Sequence, residues 1–418
     1  MSMIATGLFS SRAAALQPSA IRELSKLARE PGMISFAGGT PDPALFPVES
    51  IAAATAEILA DPGLQRECLQ YGISEGYLPL REVIARYMGR RRIEARAADV
   101  LITSGSQQGL EFIGKLFVDP GDRILVTRPS YLGALQAFSL CEPCFVGIPQ
   151  DELGLDLAAL ERELAAGAKF LYLVPDFANP TGLSLPLANR LAVIECARRH
   201  RVPIIEDQAY EALAYDGAQL PTLYELAQRV GQTAADTCVI YLGTFSKMLV
   251  PGLRTGWVLA PPAIHRALVP LKQAADLHNS VLDQMIVARV FEPVLEEGHL
   301  GKLRDAYRAR RDAMLVALEE CAVPGLEWSV PGGGMFIWLE FPGTLDAAAV
   351  LARCIADHRV LFVPGAPFHA DGTGANTARL CFARTSPELI REGIRKIAQA
   401  ITELLDTGRE TPTRSATP

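Results

Sequence analysis

The stretch Tyr241-Leu-Gly-Thr-Phe-Ser-Lys-Met-Leu-Val-Pro-Gly-Leu-Arg-Thr-Gly-Trp257 decides how the rest of the chain is read. The β-rich run Cys238 to Leu242 predicts a strand that delivers a small hydroxyl residue, Thr244. Ser246 and Lys247 follow, and Arg254 lies a short loop further on. Apolar neighbours place Lys247 inside the fold. A lysine held inside is costly unless its ammonium is paired or its amine is consumed as an imine. Two hydroxyls and an arginine around it suit a phosphate dianion. An imine-forming lysine beside a phosphate cup is the chemistry of pyridoxal phosphate. A plain strand and loop with a surface lysine would share this local pattern.

Outward from that stretch, strands alternate with polar loops and helices. Val202-Pro-Ile-Ile-Glu-Asp-Gln-Ala-Tyr210 reads as a strand and its exit loop, and Lys169 to Val174 as another, followed by Pro175-Asp-Phe-Ala-Asn-Pro-Thr-Gly182. Val100 to Thr103 leads into Ser104-Gly-Ser-Gln-Gln-Gly109 and a helix to Phe117; Asp122 to Val126 closes on Pro129-Ser-Tyr-Leu-Gly133. A small-residue turn at a helix start leaves N–H groups free for a phosphate. This repetition predicts a parallel α/β sheet with its ligand at the strand carboxyl ends. Gly38-Gly39, after the strand at Ile34, lets backbone approach a ligand, or simply makes a tight turn. After Trp257 the pattern changes: helices over 262–278 and 284–322, a turn at Pro331-Gly-Gly-Gly334, strands Met335–Glu340, Val360–Val363 and Thr377–Phe382, helix 346–357 and a last helix near 387–405. These predict a smaller α+β domain. The expected division is an N-terminal arm and helix (1–48), a large cofactor domain (49–285), a small domain (286–405) and a disordered tail (406–418). Within the arm, Ser19 is a plausible cap for an amphipathic helix over 19–28.

Composition sets the bounds. A chain of 418 residues suits two or three domains, and 49% apolar with 21% charged residues supports a large core. A net charge of -7 argues against nucleic acid as a partner, and no apolar run approaches a membrane span. The eight cysteines are scattered, and Cys141-Glu-Pro-Cys144 is a lone pair, so free thiols in a reducing cytoplasm are expected rather than zinc. A winged-helix leader is not expected, because the cofactor-domain pattern begins almost at once.

A pyridoxal enzyme needs an acid against the pyridine nitrogen, donors to the ring oxygen and a flat partner for the ring. Asp207, Asn179 with Tyr210, and Tyr131 have the right chemistry; taken singly they also read as a helix cap, a turn residue and core. In the order Asn179-Pro-Thr-Gly, Asp207-x-x-Tyr210, Ser246-Lys247, Arg254, they resemble the fold type I, class I/II aminotransferases over nearly the whole chain. Tyr71-x-x-x-Glu-Gly-Tyr, Thr103-Ser-Gly-Ser-Gln-Gln, Arg128-Pro-Ser-Tyr and Gly333-Gly-Met-Phe-Ile-Trp are most similar to the branch of 2-aminoadipate (LysN-type) and kynurenine aminotransferases.

The resemblance implies a mainly parallel seven-stranded sheet, a small domain, pyridoxal 5'-phosphate, amino acid and 2-oxo acid substrates, and a homodimer with shared active sites. It implies Lys247 as the Schiff-base lysine and proton shuttle, Asp207 on the ring nitrogen, and Asn179 and Tyr210 on the ring oxygen. Ser106, Gln107, Thr244, Ser246 and Arg254 would hold the phosphate, with Tyr71 reaching it from the neighbouring subunit. Arg379 would grip the substrate α-carboxylate, Gly39 would offer backbone beside it, and Arg22 on the mobile first helix would pair with a side-chain carboxylate. Two residues depart from the pattern: Asp176, expected to add negative charge near the pocket mouth, and Gln208, where an acid is usual. Other pyridoxal chemistry on this fold, a β-lyase or decarboxylase, and a non-catalytic ligand-sensing domain are the alternatives.

Overall fold

The structure, a computed structural model, describes residues 9–10, 12–13, 20–217, 219–234, 236–343 and 345–409. Ser19, the expected helix cap, lies outside them, as do the side chain of Arg22 and residues 410–418 of the expected tail. Among the described residues no helix is long and apolar enough to cross a membrane.

After a two-residue strand β1 (Ile34–Ser35), the chain lays down one large sheet from β2 (Val100–Thr103), β3 (Arg123–Arg128), β4 (Cys144–Asp151), β5 (Gly154–Leu155), β6 (Leu171–Leu173), β7 (Ile204–Gln208), β8 (Val239–Thr244) and β9 (Gly256–Leu259). Their order is β2-β9-β8-β7-β6-β3-β4-β5. β4, β3, β6, β7 and β8 run parallel, and β9 lies antiparallel between β2 and β8. The sheet thus has eight strands where seven were expected. The extra strand, β5, folds back on β4 through a turn in which Leu153 N–H donates to Asp151 Oδ1 and Gly154 takes φ +109°. β2, β6, β7 and β8 are buried along their whole length; β2 and β6 accordingly read as apolar runs rather than alternating ones, whereas β7 ends in the buried polar residues Glu206, Asp207 and Gln208.

Successive residues of these strands feed two cores, one on each face of the sheet. Tyr172, Ile205 and Leu242 join the core that continues into the C-terminal elements. Leu171, Ile204 and Tyr241 join the other, with helices Leu78–Arg90 and Val281–Glu296. The helix expected over 284–322 is two helices, Val281–Glu296 and His299–Cys321, parted at Gly298 with φ +80°.

The C-terminal elements are β10 (Glu327–Trp328), β11 (Phe336–Glu340), β12 (Val360–Leu361), β13 (Val363–Pro364) and β14 (Thr377–Cys381). β10-β11-β14-β13 form an antiparallel sheet. The expected strand Val360–Val363 is split between two sheets, because β12 pairs in parallel with β1, Ile34 opposite Val360. The last helix spans Pro387–Arg409, beyond the expected end near 405.

Candidate active site

At the carboxyl ends of β6, β7 and β8 lies a cavity of about 660 Å³. β7 turns Asp207 into it while its neighbours Glu206 and Gln208 take the opposite face. Asp207 is 2% exposed. Its Oδ2 accepts a hydrogen bond from Tyr172 at 3.0 Å, and its Oδ1 is buried without a partner. Burial pushes its carboxyl up to about 6, and the Tyr172 hydroxyl opposes that rise.

Lys247 follows the end of β8. Its Nζ donates to Gly39 O at 2.7 Å and stands 6.0 Å from the centre of the Tyr210 ring. Burial pushes this ammonium down to about 8, and the guanidiniums of Arg379 and Arg254 push the same way. Tyr210 is buried on the same wall, and burial raises its phenol.

At one end of the cavity Thr244 Oγ1 donates to Ser246 Oγ at 2.9 Å. Arg254, held at φ +46°, reaches Pro251 O and Ser104 O at 3.1 and 3.2 Å. Beside it begins the helix Gly105–Phe117, whose first turn carries Ser106 and Gln107; Gln107 Nε2 bonds Gly133 O at 2.9 Å. Gly105 stands at φ +69°, where a side chain is strained, and a Cβ there would come within 2.7 Å of Arg254 Nη2 and displace that guanidinium. Free N–H groups at a helix start, two hydroxyls and a guanidinium form an anion cup.

At the other side Arg379 is fully buried. It bonds Asn179 Oδ1 at 2.9 Å and Ala37 O at 2.7 Å, and lies 4.5 and 5.2 Å from the ring centres of Phe336 and Phe368. Tyr131 and Gly39 complete the wall.

The structure therefore brings Gly39, Ser106, Gln107, Tyr131, Asn179, Asp207, Tyr210, Thr244, Ser246, Lys247, Arg254 and Arg379 around one cavity. Tyr71 is elsewhere: it is 78% exposed, with its ring edge against His278. Arg22 belongs to the helix Ala20–Leu27, and its side chain lies outside the described residues.

Asp176 corrects the sequence reading. It is not on this cavity, and its charge is paired: it accepts from Arg190 at 2.6 and 3.1 Å and from Gln208 Nε2 at 2.8 Å. Arg190 is itself fully buried. Tyr172, Phe336 and Phe368 carried no site role in the sequence reading. Strand alternation puts Tyr172 on the face that continues into the C-terminal core. Phe336 stands in Gly333-Gly-Met-Phe-Ile-Trp338 and Phe368 in Val363-Pro-Gly-Ala-Pro-Phe368, stretches that carry the resemblance, but only the fold, through a short 3₁₀ turn in the case of Phe368, brings them to Arg379.

The orphaned Oδ1 of Asp207 suits a protonated ring nitrogen, the cup suits a phosphate, and Lys247 presents an amine that burial makes easy to deprotonate. These residues fit pyridoxal 5'-phosphate. With the largely parallel sheet beneath them, they define a pyridoxal-phosphate-dependent enzyme of fold type I.

Residues 31–397 match aminotransferase class I and II. The chain is 44% identical over 398 residues to the 2-aminoadipate transaminase of Thermus thermophilus, covering 95% of this chain and 97% of that protein. It is 40% identical over 402 residues to aromatic-amino-acid aminotransferase 1 of Thermococcus litoralis, covering 94% of each. The crystal structure of LysN, an α-aminoadipate aminotransferase from Thermus thermophilus complexed with N-(5'-phosphopyridoxyl)-L-leucine, matches with a TM-score of 0.88 at 42% identity, over 96% of this chain and 99% of that one. The chain belongs to the class I and II aminotransferases, and it is a pyridoxal-phosphate-dependent transaminase.

Proposed function

We propose that this transaminase accepts both acidic donors, 2-aminoadipate and glutamate, and leucine-like or aromatic donors, with 2-oxoglutarate as an acceptor. The carrying observation is the distribution of cations on the cavity wall. Arg254 lies in the anion cup, Lys247 stands at the centre, and Arg379 remains for the α-carboxylate. The described wall therefore fixes the amino acid by its common end and leaves the side chain to other residues. The relatives named for 2-aminoadipate and for aromatic amino acids support the same breadth.

The bound cofactor supplies an electron sink for negative charge at the substrate Cα. Lys247 Nζ takes and returns the proton at that carbon. Asp207 would keep the ring-nitrogen proton in place, Asn179 and Tyr210 would hold the ring oxygen, and Tyr131 would be the ring's flat partner. Ser106, Gln107, Thr244, Ser246 and Arg254 hold the phosphate; Tyr71 joins them from a second copy, so the working unit is a homodimer, and we place it in the cytoplasm. Arg379 and Asn179 orient the substrate carboxylate, and Gly39 offers backbone beside it. In this reading residues 1–48 supply an arm and helix that contribute to the small domain (286–405) and to a lid over the substrate, and residues 49–285 form the large cofactor domain.

Arg22, on the helix Ala20–Leu27, is the residue proposed to meet a side-chain carboxylate. A hydrogen bond to a charged group is worth about 1.5–3 kcal/mol, so Arg22→Ala should lower kcat/KM for acidic donors by roughly ten- to a hundredfold. Leucine and aromatic donors should change little. A donor panel with 2-oxoglutarate, scored as glutamate formed per donor consumed, checks this; equal losses for both donor types would remove Arg22 from the proposal.

A further inference from the structure

The helix Pro262–Ala275 packs behind the helix Gly105–Phe117 and carries a lysine that the reaction does not use. The side chain of Lys272 is 0% exposed. Its ammonium meets Gln108 Oε1 at 3.1 Å, both oxygens of Asp276 at 3.0 and 3.2 Å, and Asn279 Oδ1 at 2.6 Å. Each of these partners is tied further. Gln108 Nε2 donates to Asp276 Oδ2 at 2.8 Å, and Gln108 Oε1 also accepts from Ser104 N–H at 2.9 Å. Asn279 Nδ2 donates to Ser104 Oγ at 2.8 Å.

Ser104 is thus gripped from behind at its amide and its hydroxyl. Its carbonyl is the group that Arg254 Nη2 holds from the front, and the next residues begin the helix that bears Ser106 and Gln107. Lys272 is buried but Asp276 is 28% exposed, and an ion pair of this kind contributes little net stability. What this one contributes is direction: it holds the side chains that hold Ser104.

We infer that Lys272 is a positioning residue for the cofactor phosphate, acting through Gln108, Asn279 and Ser104 on Arg254 and on the first turn of the helix. Ligand groups are held accurately only when their supports are locked by a further layer of hydrogen bonds. The inference rests on reading Ser106, Ser246 and Arg254 as the phosphate cup, and it adds the layer behind that cup.

The test uses the full-length chain, stripped of cofactor and titrated with pyridoxal phosphate and, separately, with pyridoxal, which lacks the phosphate. The ratio of the pyridoxal dissociation constant to the pyridoxal phosphate dissociation constant isolates the phosphate's share of the affinity. Lys272→Met should weaken pyridoxal phosphate by about tenfold, the loss of one good hydrogen bond, and leave pyridoxal unchanged. Asn279→Ala, which keeps the Lys272–Asp276 pair, should lower the ratio in the same direction and decides the matter if Lys272→Met does not fold. Variants that weaken both ligands alike, or neither, would overturn the inference while Arg254→Ala still lowers the ratio. If Arg254→Ala leaves the ratio unchanged, the cup reading itself falls, and the inference with it.

Discussion

Asp207 gives one carboxylate oxygen to Tyr172 and turns the other, without a partner, toward the cavity. The two effects on its charge oppose each other: burial raises its pKa to about 6, and the Tyr172 hydroxyl restrains the rise. Between the ordinary aspartate range and pH 6 the cofactor-free native chain therefore keeps a proton that the unfolded chain has released. This group's contribution to stability falls as pH rises through that window. Tyr172→Phe fills the same buried space but removes the donor. The Asp207 midpoint of the cofactor-free chain should then climb by about one unit. Infrared titration of the cofactor-free carboxyl reports on this; a midpoint that stays in place would deny Tyr172 the role. Lys247 is shifted the other way, down to about 8. Its free amine, the form that reacts with an aldehyde, should thus appear near pH 8 rather than near the ordinary lysine value of about 10.4. The rate at which the stripped protein recombines with pyridoxal phosphate should rise with a midpoint near pH 8. A midpoint near that of an ordinary lysine would show that burial does not act on this amine.

One strand, β7, serves two polar sites because its residues alternate. Asp207 faces the cavity, while Glu206 and Gln208 face a buried network on the other side of the sheet. Glu206 accepts from the N–H groups of Leu223 and Tyr224, at the start of the helix Leu223–Arg229, at 2.7 and 2.9 Å. Gln208 bridges Glu206 and Asp176, and Arg190 neutralises Asp176. Removing one partner of a buried pair leaves the other charged and dry, so Arg190→Met should cost about 3–5 kcal/mol in a urea unfolding experiment. The double variant Arg190→Met with Asp176→Leu should recover most of that loss; equal losses in both would mean that packing, not the uncompensated charge, sets the cost. This network also shows where the sequence stops being legible. Asp207, Asn179 and Lys247 stand out because each lies at or shortly after the carboxyl end of a strand, in a short pattern whose chemistry is readable locally. Asp176 and Gln208 stand out only as departures from a pattern, and their partnership with Arg190 and Glu206 is not legible, because only the packing of a helix on the sheet makes the four neighbours; Asp176 alone looks like a bare charge. The break at Gly298 was hidden for a related reason: helix-forming sequence continues on both sides of it. β9 was hidden by lying straight after the lysine loop, with only Trp257, Val258 and Leu259 to mark it.

At the scale of the whole chain, residues 34–42 tie the large sheet's lysine to the C-terminal elements. β1 pairs with β12, Ala37 O accepts from Arg379, Gly39 O accepts from Lys247, and Asp42 pairs with Arg310 of the helix His299–Cys321. The cavity is closed on this side by the chain itself. On the other side the loop before the helix Leu78–Arg90 points apolar groups outward: Leu69 is 73% exposed and Tyr71 78%, with Ile73 and, across the loop, Leu277 also exposed. A cluster of large exposed apolar residues marks a surface that another protein covers. If a second copy covers this one, with Tyr71 entering its phosphate cup, each active site draws Lys247 and Tyr71 from different chains. Chains carrying Tyr71→Ala should then hold cofactor weakly, and chains carrying Lys247→Ala should be inactive. Mixed by coexpression, the two should form hybrids in which one site has both native residues and the other has neither. The purified hybrid should therefore regain activity well above either parent, and sedimentation should show it as a dimer. If Tyr71 served its own chain instead, no site in the hybrid would be intact, and mixing would restore nothing.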